Sequence, residues 1–189
     1  MTNPGLKPYM GAMHRLFIAV RPPLFIRSRL TALMEGIAGA RWQSDDQLHL
    51  TLRFVGAMDQ HGANDLADLL GRLRFHAFPV ELAGVGRFEQ NGRTSSLWVG
   101  VQPHEKLFAL HRKIDHLCVS LGLVQERRAY LPHITLARCG RSTGTLDSFI
   151  ARNAGLASAP FEVDHFSLYE SHLGREGATY KEIAYYGLL

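Results

Sequence analysis

A short motif occurs twice in the chain, and this repeat restricts the possible fold more than any other feature. His49-Leu50-Thr51-Leu52 returns as His133-Ile134-Thr135-Leu136, 84 positions later in a chain of 189 residues. Each copy alternates polar and apolar residues, which is the pattern of a half-buried β-strand. A single His-x-Thr on a strand ordinarily faces solvent. Two copies in the same register, one in each half of the chain, predict two similar lobes that face each other.

The alternation also predicts where the polar side chains point. Side chains two positions apart share one face of a strand, so His49 and Thr51 point away from their leucine neighbours, as do His133 and Thr135. Near neutral pH one imidazole can take a proton while the other donates one. The neighbouring hydroxyls can donate hydrogen bonds to phosphoryl oxygens. The pattern therefore indicates attack on a phosphodiester without a metal ion.

Two arginines near the motifs are candidates for binding the phosphate. Arg53 lies on the face of His49 and Thr51 by alternation and is the better candidate. Arg138 falls on the apolar face by strict alternation, so it can serve the site only if its strand ends or bulges there. The formal net charge is +4, and most basic residues are arginines, whose planar guanidinium suits phosphate. This composition favours an anionic ligand without identifying nucleic acid.

The two motifs resemble the paired HxTx motifs of the 2H phosphoesterases, and most closely those of the LigT-like (ThpR) RNA 2′,3′-cyclic phosphodiesterases. The resemblance covers nearly the whole chain after Met13. It is carried by residues 15–19 (RLFIA), 49–56 (HLTLRFVG), 97–100 (LWVG), 132–138 (PHITLAR) and 161–171 (FEVDHFSLYES).

The resemblance implies metal-independent hydrolysis of RNA 2′,3′-cyclic phosphate ends to 2′-phosphates, with no cofactor. By the motif, His49 is the proton donor to the departing 3′-oxygen and His133 is the proton acceptor that activates water. Thr51 and Thr135 hold the phosphate oxygens. Arg53 and Arg138 are the substrate-binding candidates on their positions in the strands alone. The expected partners are RNA 3′ ends bearing a cyclic phosphate, or small cyclic nucleotides. Reversible joining of RNA ends through 2′–5′ linkages is an expected side activity.

Three alternatives stay open on the residues alone. The same cleft could bind RNA ends without turnover, or the protein could hydrolyse another cyclic phosphate or a 2′–5′ oligonucleotide. A zinc site would need a third ligand besides the two motif histidines. The residues that could be proposed as that ligand have no predictive spacing: His165, His172, Asp45 and Asp46. Four aromatic residues could stack on a base, although core packing is the better explanation of each one taken alone: Phe88, Trp98, Tyr130 and Tyr169.

The order of apolar patterns predicts an α+β fold. We expect two pseudo-symmetric lobes in which mainly antiparallel sheets line a central cleft and helices lie outside. The predicted strands are 15–20, 48–55, 78–85, 97–101, 133–137, 161–169 and 179–186, and the predicted helices are 24–37, 63–73, 104–121 and 145–150. Residues 1–13 are expected to form a flexible extension, and residues 14–189 a single bilobal domain.

The cellular setting follows from composition. Cys118 and Cys139 form no CxxC pair, and no apolar run approaches the roughly 18 residues of a membrane-spanning helix. We therefore expect a cytoplasmic protein that does not enter the membrane. A monomer is expected because no long apolar edge is evident.

Overall fold

The structure, a computed structural model, describes residues 13–174 and 177–189. The expected N-terminal extension therefore lies outside the described residues, apart from Met13. The strands within the described parts are β1 (His14–Val20), β2 (Arg41–Trp42), β3 (Leu50–Met58), β4 (Phe78–Gln90), β5 (Arg93–Gln102), β6 (His133–Arg138), β7 (Phe161–Val163), β8 (His165–Gly174) and β9 (Gly177–Gly187). The helices are α1 (Leu24–Leu33), α2 (Gln60–Gly71), α3 (His104–Ser120) and α4 (Asp147–Arg152), with a 3₁₀ turn at Asp45–Gln47.

All the strands described belong to one antiparallel sheet. Its order is β7-β4-β5-β6-β3-β1-β8-β9, and β2 pairs with the end of β6. The motif strands β3 and β6 lie at the centre, where a single residue pair, Leu50 opposite Ile134, joins them. In that order four strands lie on each side of the junction, and β2 is the ninth strand described. The predicted α+β architecture, with mainly antiparallel strands and helices packed against them, is confirmed.

The helices cover only one face of this sheet. Apolar residues of all four helices share one hydrophobic core with alternate residues of the strands, such as Leu16 and Ile18 of β1. The other face, here called the cleft face, carries a separate small cluster of Phe17, Ala19 and Tyr169. Alternation within β1 thus divides its side chains between the two faces. The cleft face is left open for a ligand.

Two helix boundaries differ from the sequence prediction for local reasons. The helix predicted for residues 24–37 ends at Leu33, and Gly36 adopts a positive φ of 78°, which is incompatible with a continuing helix. The helix predicted to begin at residue 63 begins at Gln60. There the side chain of Asp59 accepts a hydrogen bond of 2.8 Å from the backbone N–H of Gly62, which caps the first turn.

The strand predicted for residues 161–169 is in fact two strands. β7 pairs with β4 in one half of the sheet, whereas β8 pairs with β1 in the other half. The chain crosses between the halves at Asp164, so the two segments cannot form one straight strand. No helix of the described residues is long and apolar enough to cross a membrane.

Candidate active site

The residue pair that joins β3 to β6 also brings the two repeats together. Leu50 and Ile134 lie opposite each other and are buried in the core. Because side chains alternate along a strand, the motif residues on either side of this pair point to the cleft face. These four half-buried residues, here called the quartet, are His49, Thr51, His133 and Thr135. The structure therefore gathers the four at the centre of the sheet.

Both imidazoles of the quartet are held in the same way. The Nδ1 atom of His49 lies 2.7 Å from the carbonyl oxygen of Gln47, and the Nδ1 atom of His133 lies 2.7 Å from that of Leu131. A carbonyl oxygen only accepts, so each Nδ1 carries a hydrogen and donates it. In the neutral ring, Nε2 is then an unprotonated acceptor. Each Nε2 can take a proton or, once protonated, donate it.

Burial keeps both imidazoles neutral in the free protein. The pKa of His49 falls to about 4, mainly through burial and with a smaller contribution from the nearby charges of Arg138 and Arg21, while the hydrogen bond to the Gln47 carbonyl raises it in part. Burial also lowers the pKa of His133, assisted by Arg138 and Arg128. A bound phosphate would supply the opposite charge and raise both pKa values. Binding of an anion at this site therefore favours protonation of an imidazole.

Aromatic rings fix the position of His49. The ring centroids of Phe17 and Tyr180 lie 4.9 Å and 5.2 Å from its imidazole, and Tyr180 meets it edge-on at 87°. Phe17 is itself stacked on Tyr169 at 5.2 Å. Tyr169, one of the four aromatic candidates, thus supports the ring that packs against His49.

A second aromatic pair fixes His133. The Phe88 ring meets its imidazole edge-on, with centroids 4.8 Å apart, and Trp98 lies 6.1 Å away. The guanidinium of Arg128 lies 5.2 Å from the centre of the Phe88 ring. A Cβ atom on Gly86 would lie 2.3 Å from the nearest atom of the Trp98 indole. The indole can therefore occupy this position only because residue 86 has no side chain.

The position of Arg53 contradicts the prediction from strict alternation. Thr51 lies opposite Ala19, but Arg53 lies opposite Ile18, so β3 contains one extra residue at this point. This bulge turns Arg53 to the core face, where it is only 8% exposed. Its Nε atom lies 2.8 Å from Oδ1 of Asp115. The expectation that Arg53 shares the face of His49 is therefore wrong.

Arg138 reaches the cleft face through a matching bulge. The pairing of β5 with β6 leaves one extra residue between Thr135 and Ala137. Arg138 consequently lies opposite Ser96 at an exposed position, on the face of Thr135. Its charge lowers the pKa of both motif histidines. The sequence analysis allowed Arg138 to reach the site only if its strand ended or bulged there. β6 does bulge there.

Phe54 is a cleft residue that the sequence did not indicate. It follows His49 by five positions, as Arg138 follows His133. The β3 bulge places Phe54 opposite Phe17, with ring centroids 6.3 Å apart and 61% of the residue exposed. The two bulges thus make Phe54 and Arg138 equivalent in the two repeats. No local pattern in the sequence marks a bulge.

The side chains that could complete a metal site with the motif histidines have other partners. In residues 13–174 and 177–189, no group of three His, Cys, Asp or Glu side chains is placed to hold a metal ion. Asp45 and Asp46 form ion pairs with Arg21 at 2.8 Å and 3.1 Å. The Nδ1 atom of His165 donates to Oδ1 of its neighbour Asp164 at 2.6 Å. The quartet itself offers two imidazoles and two hydroxyls to a ligand.

Comparisons with known proteins agree with this geometry. The 2′-5′ RNA ligase superfamily matches residues 22–175. An Aeropyrum pernix protein named RNA 2′,3′-cyclic phosphodiesterase is 30% identical over 162 residues, covering 82% of this chain and 92% of the relative. Its Escherichia coli namesake is 28% identical over 183 residues, covering 95% and 99%.

Among solved structures, that of E. coli LigT complexed with 3′-AMP has a TM-score of 0.75 and 26% sequence identity, covering 94% of this chain and 99% of the other. The resemblance found in the paired motifs is therefore confirmed by sequence and by fold. The chain belongs to the 2′-5′ RNA ligase superfamily.

Proposed function

We infer that this protein is a hydrolase that opens RNA 2′,3′-cyclic phosphodiester ends and leaves 2′-phosphate ends. Two relatives named RNA 2′,3′-cyclic phosphodiesterase match 82% and 95% of the chain. The observation that carries the inference is the quartet, in which two imidazoles, each bound through Nδ1 to a backbone carbonyl, point to one face beside two hydroxyls. Arg138 adds a positive charge on the same face.

The quartet supports an in-line displacement at phosphorus. In our proposal the Nε2 atom of His133 takes a proton from water as the water oxygen bonds to phosphorus. The bond from phosphorus to the 3′-oxygen breaks, and the protonated Nε2 of His49 donates its proton to that oxygen. Thr51 and Thr135 donate hydrogen bonds to the non-bridging oxygens, and Arg138 stabilises their charge. The step leaves His133 protonated and His49 neutral. The starting state returns when His133 releases its proton to solvent and His49 takes one up.

The pKa of His49 sets a condition on this mechanism. At about 4 in the free protein, the pKa leaves His49 neutral at physiological pH. His49 becomes a donor only when the anionic phosphate occupies the cleft and favours the imidazolium. Binding of the substrate therefore raises the pKa of His49, and the protonated imidazole then serves as the proton donor.

Substitution of each motif histidine tests the proposal. We expect His49→Ala and His133→Ala each to lower kcat/KM for a 2′,3′-cyclic nucleotide by about 10²–10⁴-fold, the usual contribution of general acid–base catalysis. Unchanged circular dichroism would show that the fold is retained. Binding without turnover by the unaltered protein would instead support an RNA-end binding module. Near-normal rates in both variants would refute the assignment.

The reverse reaction is a second candidate, favoured by the match to a superfamily described by 2′-5′ RNA ligation. A 5′-hydroxyl of RNA would take the place of water, and the 2′-oxygen would stay on phosphorus while the 3′-oxygen leaves. The same two imidazoles would move the same protons. The test is the appearance of a 2′–5′ linkage when the protein is incubated with a cyclic-phosphate end and a 5′-hydroxyl end. A substrate panel with other cyclic phosphates and 2′–5′ oligonucleotides tests the remaining alternatives.

We also propose that residues 14–189 act as one bilobal domain and as a monomer in the cytoplasm. Both motif histidines come from one chain, and both halves of the sheet share one core. Cys118 is buried, Cys139 is half-buried, and both are free thiols, which suits a reducing compartment. Light scattering tests the monomer, and localisation of a tagged chain tests the compartment. Removal of residues 1–13 tests the domain boundary and should leave Tm and activity unchanged.

A further inference from the structure

A second arginine lies beside Arg138 on the cleft face. β2 pairs with the end of β6 so that Arg41 is directly opposite Arg138 and Trp42 is opposite Ala137. The Trp42 ring packs toward the core against Phe149, with centroids 5.8 Å apart. Because neighbouring side chains alternate, Arg41 points to the other face, together with Arg138. Both arginines are exposed.

This arrangement places two positive charges side by side without compensation. Like charges directly opposite on neighbouring strands destabilise a sheet. Within residues 13–174 and 177–189, the side chains of Arg41 and Arg138 have no hydrogen bond or ion pair, whereas those of Arg21, Arg27 and Arg53 each contact carboxylates. An anionic ligand across the pair would remove the repulsion and supply the missing partners.

We propose that Arg41 binds the phosphodiester on the 5′ side of the terminal nucleotide, so that the protein prefers cyclic ends attached to an RNA chain over free cyclic nucleotides. This inference rests on the proposed function. Because β6 bulges there, Arg138 lies only two residue pairs beyond Thr135, which is about 7 Å along the sheet. Arg41 is on β2, the strand that pairs with the Arg138 end of β6. A phosphate held by the quartet already has Thr51, Thr135 and Arg138 as partners. Arg41 lies to the side of the quartet, so its ligand is a second negative charge. The next phosphate along the RNA chain supplies that charge.

The test compares Arg41→Ala with a matched control, Arg112→Ala. Arg112 is exposed on α3, and α3 packs against the core face, away from the cleft. The substrates are a nucleoside 2′,3′-cyclic phosphate with a 5′-hydroxyl, the same compound with a 5′-phosphate, and a short RNA ending in the same cyclic nucleotide.

We expect Arg41→Ala to lower kcat/KM for the two substrates with a second phosphate by about tenfold, the usual effect of losing a charged hydrogen bond. The loss for the compound with a 5′-hydroxyl is expected to stay within about twofold, because at about 0.15 M salt the separated charges are largely screened. For the RNA, the slope of log kcat/KM against log salt should become shallower by about 0.7. Arg41→Lys should keep most of that slope, and Arg112→Ala should change neither measure. Removal of the like charge should leave Tm unchanged or raise it.

Two results would overturn the proposal. An equal loss on all three substrates would show that Arg41 contacts the cyclic phosphate itself, and no loss on any substrate would show that it contacts neither phosphate. If the unaltered protein hydrolyses none of the substrates, the proposed function fails, and binding still tests Arg41. In that case a fluorescent RNA ending in a 2′-phosphate is titrated with both proteins. Arg41→Ala must then weaken its binding about tenfold, with the shallower salt slope, for the inference to stand.

Discussion

Replacement of Arg53 by Met distinguishes the role that the sequence suggested from the role that the structure assigns. Methionine is apolar and lacks the charge, so the change removes an ion pair from the interior. The Nε atom of Arg53 lies 2.8 Å from Oδ1 of Asp115, and these side chains are 7% and 10% exposed. The Nε–H is not aligned with that oxygen, so the contact is ionic rather than a hydrogen bond. A second carboxylate, that of Glu126, lies 3.2 Å from Nη1.

The expected loss of stability follows from these contacts. Removal of one partner of a buried ion pair costs about 3–5 kcal/mol, because the other charge stays buried and uncompensated. Glu126 adds little, since its side chain is 34% exposed and exposed pairs contribute about 0–1 kcal/mol. The guanidinium also donates to the carbonyl oxygens of Phe54 and Val124, which tie β3 to the segment after α3. We therefore expect Arg53→Met to lower the free energy of unfolding by about 3–5 kcal/mol.

Urea unfolding followed by circular dichroism measures this quantity, and kcat/KM is measured at a temperature where the variant is folded. The folded variant should keep kcat/KM within about threefold, because Arg53 points away from the cleft face. The double substitution Arg53→Met with Asp115→Leu should recover much of the lost stability, since it removes both charges together. An unfolding free energy within about 1 kcal/mol of the unaltered protein, combined with a tenfold rise in KM, would refute this reasoning and restore Arg53 as a phosphate ligand.

Three further predictions concern the quartet. Turnover requires one protonated and one neutral imidazole. Because burial lowers both pKa values below 6.5, and that of His49 to about 4, kcat/KM should peak below pH 6.5 and fall above it about tenfold per unit. A plateau of kcat/KM through pH 8 would contradict this. Gly86→Ala should displace the Trp98 indole beside His133 and lower stability by about 1–3 kcal/mol together with kcat, whereas Gly155→Ala, where an added Cβ meets no atom within 4 Å, should change neither. Protein dialysed against EDTA should retain full activity, and restoration by added metal would disprove the metal-independent mechanism.

Local patterns in the sequence were sufficient to predict the central site. Alternation in each repeat placed a histidine and a threonine on one face of a strand, and the structure shows all four on the cleft face. The turn that joins β4 to β5 also has a local cause, because it contains Asn91 and Gly92, both at positive φ. These features depend on residues a few positions apart, so the sequence records them directly.

The sequence by itself determined the α+β class, the paired motifs and the superfamily, because each depends on short-range periodicity or on residue identity. The tertiary structure decided which cations reach the cleft. The bulges in β3 and β6 exist only through pairing with neighbouring strands, and they turn Arg53 inward while turning Phe54 and Arg138 outward. The meeting of Arg41 with Arg138 likewise depends on contacts between residues almost a hundred positions apart. Alternation assigns side chains to a face correctly only up to a bulge, because the extra residue in the bulge reverses the faces of the residues that follow it.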